Sequence, residues 1–467
     1  MKHLFNRKYK NKLISTAVAA ACVGGLGVQG TAHALVDSTE LGQLALVPYY
    51  TVRGNFVTGV HIINTGNATQ AVKFRMRRAE DSADALDIVI ILSPHDEWTG
   101  FISGSEQDGI TLGSDDKTCT APAADANGKW LMPAINRAGA GEGYIEIISM
   151  GRAYGRVAQR AKHVNGVPVD CDEVRENFFS KDTGPGGVIS NSETQNFAGV
   201  STPWTAPANE LKVSYFIRDP QSGMEFGNNA VHIKGFTAVP MMTNQELGLS
   251  DGKTDGFDFP DLNGGGAGTP RDKYDSVIRA DLGGIAIVND WSKNGANGVT
   301  TDWIVTIPGQ YLMYNPDPAD DNPATVAIDE RDHRDLPVTA NVHVWDREEK
   351  GFSSRDLVIS PHEGPGDTTL PDEVNIIRWG DQSIFESVRP RTITGFDAPY
   401  GWAKVSLASA NKVGGQLIYD FTVPVANDDG VAPLNPVPVI GYAAWRRTFN
   451  NAEKNYGRII EHSRMSQ

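Results

Sequence analysis

The 467-residue chain carries 42 Lys and Arg against 57 Asp and Glu, a formal charge of −15, and 40% of its residues are hydrophobic. Such an acidic surface repels phosphate backbones and anionic lipid, which argues against nucleic acid as a partner and favours cations, basic partners or simple solubility. The length predicts more than one domain.

The first 34 residues read as a cleavable export signal. Lys2, Arg7, Lys8, Lys10 and Lys12 form a basic opening, Leu13 to Val28 an apolar run, and Ala32-His33-Ala34 a small-residue cleavage site. Gly24, Gly25 and Gly27 interrupt the apolar run, which is shorter than the roughly 20 residues that cross a bilayer. Cleavage is expected after Ala34, and losing five cations moves the formal charge from −15 to −20. A competing reading takes Ala19-Ala20-Ala21-Cys22 as a lipoprotein box with Cys22 lipidated, although Ala19 stands where such boxes carry a leucine-like residue. No later stretch is long and apolar enough to predict a transmembrane span.

Beyond the leader, helical periodicity is nearly absent and alternating runs bounded by Gly, Pro, Asn and Asp recur. Phe56 to Ile63 reads as a strand, and Asn64-Thr65-Gly66-Asn67 as a turn. Val72, Phe74 and Met76 then alternate with Lys73, Arg75 and Arg77, which predicts a half-buried strand with one basic face. Leu86 to Leu92 is apolar on both faces, as a strand covered on both sides would be, and Pro94 ends it. Further strands are expected at 143–148, 211–216, 284–288, 303–307, 342–345, 416–423 and 439–445.

The economical fold is all-β: two antiparallel β-sandwich (Ig-like) domains with long loops, over 35–240 and 241–467. Irregular stretches are expected at 103–140, 165–208, 244–274 and 314–336, where function or mobility concentrates. Cys119 and Cys171 lie in polar, loop-like surroundings in an insert of the first domain, and an even pair in an exported chain predicts a disulfide. Two internal echoes suggest a duplicated sandwich: Ile91 to Asp96 with Val358 to Glu363, and Gly59 to Asn64 with Gly284 to Asn289. Their spacings disagree.

Several short motifs stand out: Val72-Lys73-Phe74-Arg75, Leu92 to Thr99, Glu142 to Gly151, Thr301 to Pro308 and Pro438 to Ala444. Together they resemble a group of secreted, β-rich proteobacterial surface proteins. The resemblance implies secretion and a β-rich fold and carries no activity. In that group glycine follows the proline of the Ser-Pro turn, so His95 departs from the pattern.

Candidate chemistry is sparse. His61, His232 and His343 each sit between apolar strand residues, and three such strands side by side could converge imidazoles on a metal. Two Ser-Pro-His-acid turns place His95, Asp96 and Glu97, and His362 and Glu363, at strand exits without a fixed ligand spacing. Calcium is the better ionic candidate, because it prefers hard oxygen ligands. Asp251, Asp255, Asp258 and Asp261, with Asn263, lie in one Gly-rich loop, and Asp317, Asp320, Asp321 and Asp329 in a Pro-rich one. Neither follows the EF-hand order. No nucleophile elbow, phosphate-binding loop or haem attachment motif is present. Trp98, Trp204, Trp291, Trp303, Trp379 and Trp402 are expected mostly in the core, with a carbohydrate or partner platform as the rarer use.

These features lead to an expected secreted or cell-surface structural, adhesive or binding protein, calcium-supported, with extracellular matrix, polysaccharide or other surface proteins as partners. Retention in the periplasm is the nearby location. The alternative is an exported hydrolase acting on polysaccharide through paired carboxylates in the long loops.

Overall fold

Val72, Phe74 and Met76 are fully buried on the strand Thr69–Arg78, as their alternation predicts. The opposite face differs from the expected solvated basic side, because Lys73, Arg75 and Arg77 are buried too. Carboxylates cover them. Asp87 Oδ1 lies 3.0 Å from Lys73 Nζ, and Arg75 and Arg77 share Asp84, Glu146 and Asp261.

The computed structural model describes residues 39–176, 195–197, 200–202, 204–241, 260–264, 273–313, 338–352, 357–360, 367–407, 412–413, 416–417 and 437–465. Strands dominate, and antiparallel pairing prevails. The first sheet runs Val231–Ile233, Leu44–Thr51, Glu142–Ala153, Thr69–Arg78, Asp84–Leu92, Cys119–Ala121, with Trp204–Thr205 also on Glu142–Ala153. The second runs Met224–Asn229, Leu211–Asp219, Val57–Asn64, Glu97–Ser105, Gly109–Gly113, Lys129–Leu131. The third runs Gly351–Phe352, Val338–Asp346, Tyr400–Leu407, Ala286–Ser292, Ser463–Met465, with Asp367–Leu370 also on Val338–Asp346. The fourth runs Val358–Ser360, Arg391–Thr394, Val374–Trp379, Val299–Thr306, Ile440–Arg447, Tyr456–Glu461. Asp84–Leu92 is paired on both sides and buried, as expected. The stretch 103–140, expected to be irregular, instead supplies three short strands, one of them starting at the buried Cys119.

Both halves of the chain repeat one strand order. Ala286–Ser292 has Ser463–Met465 on one side, and Tyr400–Leu407 then Val338–Asp346 on the other. Leu44–Thr51 has Val231–Ile233, and Glu142–Ala153 then Thr69–Arg78, in the same places. Likewise Val299–Thr306 lies between Ile440–Arg447 and Val374–Trp379, as Val57–Asn64 lies between Leu211–Asp219 and Glu97–Ser105. The crossing between sheets recurs in detail: the Thr51 N–H donates to Thr58 Oγ1 and the Ser292 N–H to Thr301 Oγ1, each at 3.0 Å. Neither sequence echo falls on equivalent strands. The counterpart of Ala286–Ser292 is Leu44–Thr51, not Val57–Asn64.

Apolar packing crosses between the halves. Ile304, Val374, Ile376, Phe385 and Tyr442 join the cluster that holds Val60, Phe74, Trp98 and Ile145. Leu44, Leu46, Ile148 and Ile233 join the one around Trp291, Trp303, Val342 and Val405. The second and fourth sheets end on equivalent strands, Met224–Asn229 and Tyr456–Glu461, which lie against one another. There Asn228 Nδ2 donates to Glu461 Oε1 at 3.0 Å, and a Cβ on Gly457 would come 2.5 Å from Glu225 O.

The buried charges tie the later chain to the first sheet. Asp261 Oδ1 accepts from Arg75 Nη1 and Arg77 Nη2, each at 2.7 Å, and Tyr311 lies under the Arg77 guanidinium at 4.1 Å from its ring centre. Tyr144 donates to Glu146 Oε1 at 2.6 Å, and Glu373 Oε1 accepts the Gly309 N–H at 2.5 Å. Burial pushes the Asp261 carboxyl up to about 6, against the pull of Arg75 and Arg77, and the Glu373 carboxyl up to about 8.

Removing one member of a buried, hydrogen-bonded charge group strands the others. Arg77→Ala is expected to lower unfolding stability by about 3–5 kcal/mol in denaturant melts. Glu373 holds its proton more tightly folded than unfolded. Its stabilising contribution is therefore complete below its ordinary value of 4.5 and is lost as pH rises through about 8. Melting temperature should fall across that window, and Glu373→Gln should flatten the slope; an unchanged slope would place the titration elsewhere.

Candidate functional site

Pro94 stops Asp84–Leu92, and residues 93–96 carry the chain across to Glu97–Ser105 in the second sheet. The turn is held from within: Asp96 Oδ2 accepts from the Ser93 N–H at 3.0 Å, from Ser93 Oγ at 3.2 Å and from Thr118 Oγ1 at 3.3 Å. His95 has φ +61°, the left-handed region that favours glycine, and its side chain is exposed with Nε2 3.0 Å from Asn67 Oδ1.

Opposite the turn stands the short helix α1 (Gly155–Ala161), followed by His163. Turn and helix enclose an open cleft of about 720 Å³, lined among others by Asn67, His95, Asp96, Tyr154, Gln159, Lys162 and His163. Val157 and Ala161 bury the inner side of α1 against Val89, Ile91, Met150 and Trp204. A second helix, α2 (Cys171–Glu176), braces it: Glu173 pairs with both Arg156 and Arg160 of α1. The expected disulfide forms between Cys119 and Cys171, with Cα atoms 5.1 Å apart across 52 residues of sequence. It anchors α2 to the first sheet, and through α2 it fixes the wall of the cleft.

Ser93, His163 and Asp96 invite comparison with a nucleophile relay. In such a relay the hydroxyl and the carboxylate contact different ring nitrogens. Here both approach Nδ1 of His163, Ser93 Oγ at 3.3 Å and Asp96 Oδ2 at 3.4 Å. The serine therefore has no base of its own backed by an acid. Burial raises the Asp96 carboxyl above its ordinary range, with His163 pulling the other way. Asp96 is also the one carboxylate among the described residues lining the cleft. The arrangement presents hydrogen-bond donors and a cation to a ligand.

Of the acidic loop at 251–263, Asp251, Asp255 and Asp258 lie outside the described residues, as do His362, Glu363, Cys22, the leader and the 317–329 aspartates. Asp261 is engaged by Arg75 and Arg77. The three strand histidines stand in three different sheets. His61 faces Glu97 at 3.3 Å, the buried His232 accepts the Val213 N–H at 2.8 Å, and His343 lies beside Trp345. Among the described residues no group of three or more His, Cys, Asp or Glu side chains is placed to hold a metal ion. Trp98, Trp204, Trp291, Trp303 and Trp379 are core residues, whereas Trp402 is 42% exposed. His163 and Lys162 carry no motif, and the only hint to them in the sequence is Cys171 shortly downstream.

No family model matches the chain, no curated protein matches it in sequence, and no solved structure matches it in fold.

Replacing both cysteines by serine is expected to cost about 2–5 kcal/mol. Limited proteolysis should then cut first in 155–176; equal protection of that segment would show that the disulfide does not hold the cleft wall.

Proposed function

We propose that the chain is exported and works outside the cytoplasm as a cell-surface binding protein, with the cleft between residues 93–96 and α1 as its recognition site. The observation that carries this reading is the meeting of Ser93 and Asp96 on one nitrogen of His163, which favours holding a ligand over turning it over. The Cys119–Cys171 bond suits an oxidising compartment, and the basic, apolar and small-residue order of the first 34 residues suits export. Lys162, His163 and His95 give the cleft donors for anionic or hydroxyl-rich groups of a matrix polymer. In this reading the repeated strand order is a pair of related sandwiches. Calcium support would draw on Asp251, Asp255 and Asp258 without Asp261, which two guanidinium groups already occupy.

Purified protein should be retained by immobilised surface polysaccharides or matrix polymers without releasing product, and Lys162→Ala with His163→Ala should weaken retention about 10-fold or more. Product release would move the reading to a hydrolase. Unaltered retention by the double variant would remove the cleft from it.

A further inference from the structure

The repeated strand order gives each face of the first sheet a counterpart in the third. Leu46 pairs with Val231 and Glu146, as Val288 pairs with Ser463 and Lys404. One strand further on, Arg75 opposite Glu146 corresponds to His343 opposite Lys404, and Arg77 opposite Tyr144 to Trp345 opposite Trp402. In the first half Asp261 and Tyr311 cover this face and its cations are neutralised. In the second half Trp402 keeps 42% of its surface exposed, and His343, Trp345 and Lys404 are partly exposed.

The rings of Trp345 and Trp402 stack with centres 4.1 Å apart and 11° from parallel, and His343 lies against Trp345 at 6.0 Å. Trp345 thus takes one face of the Trp402 indole, and 42% of the Trp402 surface stays exposed. Asp290 sits directly across from Trp402 on Ala286–Ser292, its Oδ1 accepting from Trp445 Nε1 at 3.1 Å. Lys404 follows Trp402 on the same face, about 7 Å along the strand. Among the described residues no ion pair joins Lys404 or His343 to a carboxylate.

We propose that this face binds a uronic acid unit of an acidic polysaccharide. A pyranose presents a face of slightly positive C–H groups, which suits the electron-rich face of an indole. With the ring on Trp402, the sugar carboxylate reaches Lys404 and His343, and a ring hydroxyl donates to the free carboxylate oxygen of Asp290. Lys404 selects an acidic sugar over a neutral one, because among the described residues it has no ion pair where the first half holds its own. An acidic peptide would satisfy Lys404 and leave the exposed indole surface unused. The platform is separate from the cleft described above, so the two readings fail independently.

The full mature chain is titrated with galacturonate and mannuronate hexamers, with a neutral β-glucan hexamer and with hexaglutamate, following tryptophan fluorescence and calorimetric heat. At least one uronate hexamer should bind, the other two probes should bind about 10-fold more weakly or not at all, and Trp402→Ala should cost about 10-fold in affinity. Lys404→Gln, a change at a partly exposed side chain, should weaken binding and reduce its salt dependence. The Lys162, His163 double variant should keep the parent's uronate-induced change in tryptophan fluorescence, which reports the Trp402 platform. Absence of uronate binding, equal binding of hexaglutamate or the glucan, or unchanged affinity in Lys404→Gln would each overturn the proposal.

Discussion

The buried pair Arg75 and Arg77 constrains everything around the first sheet. Two guanidinium groups cannot stay in a dry interior without opposite charge at contact distance. Asp84 and Glu146 come from neighbouring strands of the same sheet, but Asp261 and Tyr311 come from much later in the chain. The later segments must therefore dock on the first sheet for its outer face to be satisfied. This explains why apolar clusters cross between halves whose hydrogen-bonded sheets do not.

The repeated strand order is used differently in the two halves. The connection between Asp84–Leu92 and Glu97–Ser105 opens a cleft, whereas its counterpart between Asp367–Leu370 and Val374–Trp379 carries Glu373 into the interior, where it accepts the Gly309 N–H. One turn was left to solvent and its partner was committed to packing. The outer sheet faces divide the same way, charged and covered in one half, aromatic and partly exposed in the other.

Much of the strand content was legible because a period of two is local: Phe74 and Ile90 announce their burial through their immediate neighbours. The basic face of Thr69–Arg78 was misread for the same reason. Alternation tells which residues share a face, and only partners far away in sequence tell whether that face is wet or dry. Asp261 looked like a calcium ligand because its loop is acidic, and the arginines it serves lie nearly two hundred residues earlier. His95 was visible in its turn, but its companion His163 becomes meaningful only once α1 is placed. The backbone at position 95 takes the positive φ that glycine adopts without strain, which no local pattern around His95 announces.

The abutting rims of Met224–Asn229 and Tyr456–Glu461 bear on how the chain meets other molecules. A terminal strand normally advertises unpaired amides and carbonyls to any passing β-segment. Here two such strands, related by the internal repeat, screen each other at close range, and the missing side chain of Gly457 is what lets them approach. A bulkier residue at that spot would wedge the seam apart and bare two ladders at once, turning a self-contained fold into one inclined to stack on its own copies.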